Sequence, residues 1–81
     1  MIQELDRLAL TWLPKPEQIR TGELKETINR SWSALRLFAV HRYCQQGAYA
    51  TAYNEASRLD SDVKASISTE IWVALTTEAH R

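Results

Sequence analysis

His41 and Cys44 stand three residues apart, a spacing at which two side chains on one helical face could hold a metal or act as base and nucleophile. A metal centre needs further ligands, and the only other histidine is His80, next to Arg81. A nucleophile and base would need a third group to orient the imidazole, and none is evident. Cys44 therefore reads as a small apolar residue and His41 as a surface or rim residue. Glu23–Glu26 and Asp60–Asp62 are carboxylate pairs at expected helix starts, where acids complement the helix dipole. Arg30, Arg36 and Arg42 are spaced six apart, which scatters them around a helix. Gly22 and Gly47 are isolated, so no phosphate-cradling loop is present. The expectation is no catalytic residue, no metal, no cofactor, and a protein that is not an enzyme.

Those side chains must be placed by a small scaffold. Eighty-one residues make one domain with a limited core. Cys44 is the only cysteine, so no internal disulfide can staple it, and a reducing compartment fits. Ten basic and ten acidic residues cancel, which removes the basic field that drives nucleic-acid binding and attraction to acidic membranes. No apolar run approaches membrane-spanning length, and MIQELDRL lacks the basic start of a secretory leader. A cytoplasmic protein is expected, with no nucleic-acid or membrane partner. Another chain is the natural extra source of stability.

Apolar spacing predicts an all-α fold: a small bundle of about four helices around a long antiparallel hairpin. The single helical domain covers residues 1–81. An N-terminal helix over 1–13 buries Ile2, Leu5, Leu8, Ala9, Trp12 and Leu13. A connector over 14–20 is set by Pro14 and Pro16. The hairpin and a C-terminal helix fill 21–81. Helix 2 starts at a Thr21 N-cap and carries Leu24, Ile28, Trp32, Leu35, Ala39 and Tyr43 on one continuous face, which is expected to be the buried one. Gly47 stops it. Helix 3 presents Tyr49, Ala52, Tyr53, Ala56 and Leu59. A single fourth helix, capped from Asp60–Asp62, aligns Val63, Ile67, Ile71, Ala74 and Leu75.

Helix 2 has more apolar surface than one face requires. At 100° per residue the first set, with Phe38, spans roughly 140°, while Leu37, Val40 and Cys44 fall on the opposite side and only in the C-terminal half. Two explanations stay open. Helix 1 or helix 4 covers this second stripe, making helix 2 a central element. Alternatively the stripe is an exposed groove for a partner helix, rimmed by His41 and Arg42.

The segment YCQQGAYATAYNEA contains a Gly-x-Tyr-x-x-Ala pattern at Gly47, Tyr49 and Ala52, with Tyr43 four residues before the glycine. That pattern resembles the turn and second helix of a tetratricopeptide repeat. Arg36, Ala39-Val40, Ala56 and Lys64 depart from the repeat. Together with Trp72-Val73-Ala74-Leu75, the stretch from Leu35 to His80 resembles the small tetratricopeptide-like chaperones of type III secretion. The resemblance implies a cytoplasmic chaperone or co-chaperone, a virulence component that holds the amphipathic helix of an aggregation-prone needle subunit with a small helical co-chaperone. By that resemblance Leu37, Val40, His41 and Cys44 would line the groove, and Tyr43, Gly47, Tyr49 and Ala52 would hold the hairpin.

A different class of function is also compatible: a small phage- or plasmid-type inhibitor that occludes a larger complex. Secretion-apparatus genes beside this one would favour the chaperone. Without its partner, the chain is expected to be marginal or to form homo-oligomers. The turn at Gly47 favours the groove, so Val40→Asp is expected to weaken partner binding far more than it lowers the stability of the isolated chain. An equal, large loss of folding would make the stripe internal core.

Overall fold

A computed structural model describes residues 4–17 and 24–81. The helices are α1 (Glu4–Trp12), α2 (Leu24–Gln45), α3 (Tyr49–Ser57), α4 (Ser61–Ser66) and α5 (Thr69–Ala79), and no strand occurs among the described residues. The fold is a small all-α bundle. The Thr21 cap and the second half of the 14–20 connector lie outside the described residues.

The α2–α3 turn follows from Gly47. Its φ of 77° is the left-handed conformation that ends a helix at little cost only when the side chain is absent. The Gly47 N–H donates to the Cys44 carbonyl (3.1 Å) and the Ala48 N–H to the Tyr43 carbonyl (2.9 Å). This pair of bonds is a Schellman closure, which satisfies carbonyls that α2 would otherwise leave without partners. No atom crowds the position where a Cβ would sit, so the demand for glycine is a backbone demand alone.

The expected fourth helix is two helices. Ser66 Oγ donates to the Val63 carbonyl, and Ser68 Oγ accepts from the Ile71 N–H (3.3 Å) as an N-cap. Hydroxyls at 66 and 68 thus offer the backbone a local alternative to continuing the helix. Ile67 at the break remains buried, as do Val63, Ile71 and Leu75.

The larger correction concerns α2. Its buried residues are Ser33, Ala34, Leu37, Val40 and Cys44, while Leu24, Ile28, Trp32 and Leu35 are exposed. The face expected to be core faces solvent, and the second stripe is the core. The physical reason lies in the neighbours. Helix α1 contributes Leu5 and Ala9 and α3 contributes Ala52 and Ala56, all with no solvent exposure. Ala9 in α1, and Ala52 and Ala56 at i and i+4 in α3, let the short helices approach closely, and Ser33 and Ala34 add small buried side chains on α2. The Ser33 hydroxyl is satisfied inside α2 by the Asn29 carbonyl (3.0 Å).

Helix α1 runs antiparallel to α2. One end is tied where Arg30 donates to the Thr11 carbonyl (2.8 Å), with its guanidinium 4.9 Å from the centre of the Trp12 ring. Arg30 thereby supplies a cation to the C-terminus of α1, which has no basic residue in its own last turn. Trp12 Nε1 donates to Ser66 Oγ (3.2 Å), joining α1 to α4. At the far side of the bundle Tyr53 makes edge-on contacts with Trp72 and His80, fastening α3 to α5.

Val40→Asp is expected to abolish cooperative folding, because an uncompensated buried carboxylate costs about 3 kcal/mol or more, a large share of the stability of a domain this size. Trp32→Asp is expected to stay within about 0.5 kcal/mol of the parent. Urea unfolding followed by circular dichroism reads both, and a cooperative V40D would contradict the assignment of the core.

Candidate functional site: the exposed face of the long helix

Of the four residues that the resemblance would place in a groove, Leu37, Val40 and Cys44 are buried and His41 is partly exposed. Leu37 and Val40 have no exposure, and Cys44 retains 8 %. His41 is half-buried, with Nδ1 enclosed and lacking a hydrogen-bond partner. It lines a shallow recess between α1 and α2 together with Glu4, Asp6, Arg7 and Gln45. His41 and Cys44 therefore point into different surroundings, one at a helix seam and one in the core. Among the described residues no three histidine, cysteine or acidic side chains are grouped to hold a metal. Burial pushes the Cys44 thiol above its ordinary range, which keeps it neutral and unreactive.

Of the hairpin residues, Tyr43 and Tyr49 are half-buried against the core, Ala52 is fully buried, and Gly47 carries the turn. These side chains shape the scaffold and present nothing to a ligand.

Leu10, Leu13 and Val73 are exposed elsewhere, but the run of exposed large apolar side chains along one helix face is on the other side of α2. Leu24 is 74 % exposed, Ile28 46 %, Trp32 59 % and Leu35 57 %. At helical spacing they lie within an arc of roughly 80°. Helices α1 and α3 flank the opposite side. Each has nine residues, against 22 in α2, so neither can follow it for its full length. The four side chains leave on the order of 400–500 Å² of mostly apolar area in water, within the range of the largest patch on an ordinary monomer.

The chemistry around this stripe is polar and basic. Lys25, Arg36 and Arg42 are exposed along its borders. None of them forms an ion pair among the described residues, where Arg58–Glu55 and Arg81–Glu78 are paired instead. Beside Trp32 a recess of about 140 Å³ is lined by Asn29, Ser33, Arg36, Arg58, Leu59 and Asp60. Sequence reasoning noticed the stripe and buried it. The missed signal was length, since no short neighbour could cover a face that starts at Leu24.

Among the described residues no helix is long and apolar enough to cross a membrane. Compared with known proteins, the chain matches no family model, no curated protein and no solved structure.

Cys44 is expected to react with a thiol reagent at least tenfold more slowly in the native chain than in the urea-unfolded chain. The sign of its pH effect follows from the raised folded-state value. The unfolded thiol ionises first, so this contribution to stability is intact below the ordinary thiol pKa and declines as pH rises towards the folded value. Titration of stability from pH 7 to 10 in parent and Cys44→Ala tests this, and identical curves would contradict it.

Proposed function

We propose that this chain is a non-catalytic protein-binding module that uses the exposed face of α2 to hold an amphipathic helix. The observation that carries the reading is the run Leu24, Ile28, Trp32 and Leu35. These are four large apolar side chains at i, i+4, i+8 and i+11, all exposed, on a helix whose other side builds the core. Their burial against a partner would contribute on the order of 10 kcal/mol before the costs of association. Helix-on-helix docking suits the geometry, since a straight stripe of this spacing matches the stripe of another amphipathic helix. Trp32, beside a recess, is the natural anchor.

The most concrete version is the one that the Gly47 hairpin suggests, a chaperone or co-chaperone of a type III secretion needle subunit. The contact surface in this proposal differs from that implied by the resemblance, because Leu37, Val40 and Cys44 are taken up by the domain's own packing. Holding an aggregation-prone helix requires an accessible apolar surface on a scaffold that folds without it. Here the scaffold's core and the α2 stripe use separate residues of the same helix, which meets that requirement.

Co-expression with a needle subunit tests the chaperone version. The parent is expected to keep the subunit soluble in a discrete complex, and Trp32→Asp/Leu35→Asp is expected to lose the complex while its own unfolding transition is unchanged. Failure of the parent to hold the subunit would remove the secretion assignment. Retention of the complex by the double variant would remove the α2 face as the binding surface.

A further inference from the structure

Building on the docking face proposed above, we infer that its occupant is an amphipathic helix whose flanks are acidic. The arc of α2 that faces solvent carries Leu24, Ile28, Trp32 and Leu35, bordered by Lys25, Arg36 and Arg42. Glu26, the only described acid of α2, projects from the side opposite the stripe. The recess next to Trp32 is lined by Arg36, by Arg58, which is paired with Glu55, and by Asp60. Arg36 is thus the cation there without an ion pair among the described residues. The whole chain is neutral, so this local excess of cations is a property of the face and not of the protein.

Charge also discriminates between partners. A second copy docking antiparallel through the same stripe would be related by a two-fold axis crossing near its midpoint, at the level of Asn29 and Arg30 along α2. Antiparallel pairing of that kind sets Leu24 opposite Leu35 and brings Lys25 of one copy towards Arg36 of the other. Like charges facing each other across an apolar seam oppose that dimer. A helix with glutamates or aspartates beside its own apolar stripe meets the same cations favourably, and its charge would speed encounter as well as fix register. The stripe from Leu24 to Leu35 covers about 17 Å of helix axis, so four to five turns of partner would span it and its borders.

The probes are three helical peptides of about 18 residues. They share one leucine stripe and carry glutamate, glutamine or lysine on its flanks. Fluorescence anisotropy of labelled peptides against the whole chain gives the affinities. The glutamate peptide is expected to bind at least tenfold tighter than the lysine peptide at low salt, with the gap closing as salt rises. Arg36→Glu/Arg42→Glu, checked for an unchanged unfolding transition, is expected to invert the order. Equal affinity for all three peptides would overturn the charge selection while leaving the apolar docking face in place. Binding by none of them would overturn both this inference and the docking face as a site for helices. A concentration-dependent dimer that Trp32→Asp dissolves would assign the face to a second copy.

Discussion

The structure depends on one packing constraint. Helix α2 is apolar on two sides, and the short helices around it can cover only one. Leu5 and Ala9 from α1 and Ala52 and Ala56 from α3 share one core cluster with Leu37, Val40 and Cys44 of α2. Small residues ease the close approach of helix axes, and Ser33 and Ala34 lie on the buried side of α2. Once those contacts form, the side bearing Trp32 and Leu35 stays largely exposed, with Arg58, Leu59 and Asp60 reaching only the recess beside Trp32.

The remaining features adapt to this arrangement. Gly47 returns the chain so that α3 lies along the C-terminal half of α2, where the buried stripe is. Arg30 secures the end of α1 through the Thr11 carbonyl and the Trp12 ring, at the point on α2 where the buried stripe begins. Ser66 and Ser68 break the C-terminal segment so that Val63, Ile67 and Ile71 can all reach the core despite a change of direction. The Tyr53 contacts to Trp72 and His80 close the side remote from α2.

Much of this was legible in the sequence, and the failures have identifiable causes. The helical class, the stop at Gly47 and the buried positions of α3 follow from local periodicity and turn chemistry, which short-range physics decides. The face of α2 was misread because a helical wheel weighs hydrophobicity and ignores volume. Leu24, Ile28, Trp32 and Leu35 form the longer and bulkier stripe, yet alanine and serine at 33 and 34 marked the side that neighbours could approach. The break at Ile67–Ser68 was hidden by an apolar spacing that runs through it. The hydroxyls at Ser66, Ser68 and Thr69 carried the opposing signal. The candidate site was missed for the same reason that the core was, since the two are opposite sides of one helix.

The exposed stripe also constrains what kind of protein this can be. A small domain gains little for its own folding from the parts of Leu24, Ile28, Trp32 and Leu35 that remain in water. Helix propensity does not call for tryptophan or isoleucine at exposed positions, where alanine, lysine or glutamate would serve a 22-residue helix better. Such a face also carries a standing risk of non-specific association. In the docking proposed above, Lys25, Arg36 and Arg42 would reduce that risk by opposing an antiparallel self-pairing, and the same charges would favour an oppositely charged partner. Internal packing accounts for the stripe at Leu37, Val40 and Cys44. The same packing leaves the stripe on the other side largely in water, and that exposure is the observation on which the proposed docking rests.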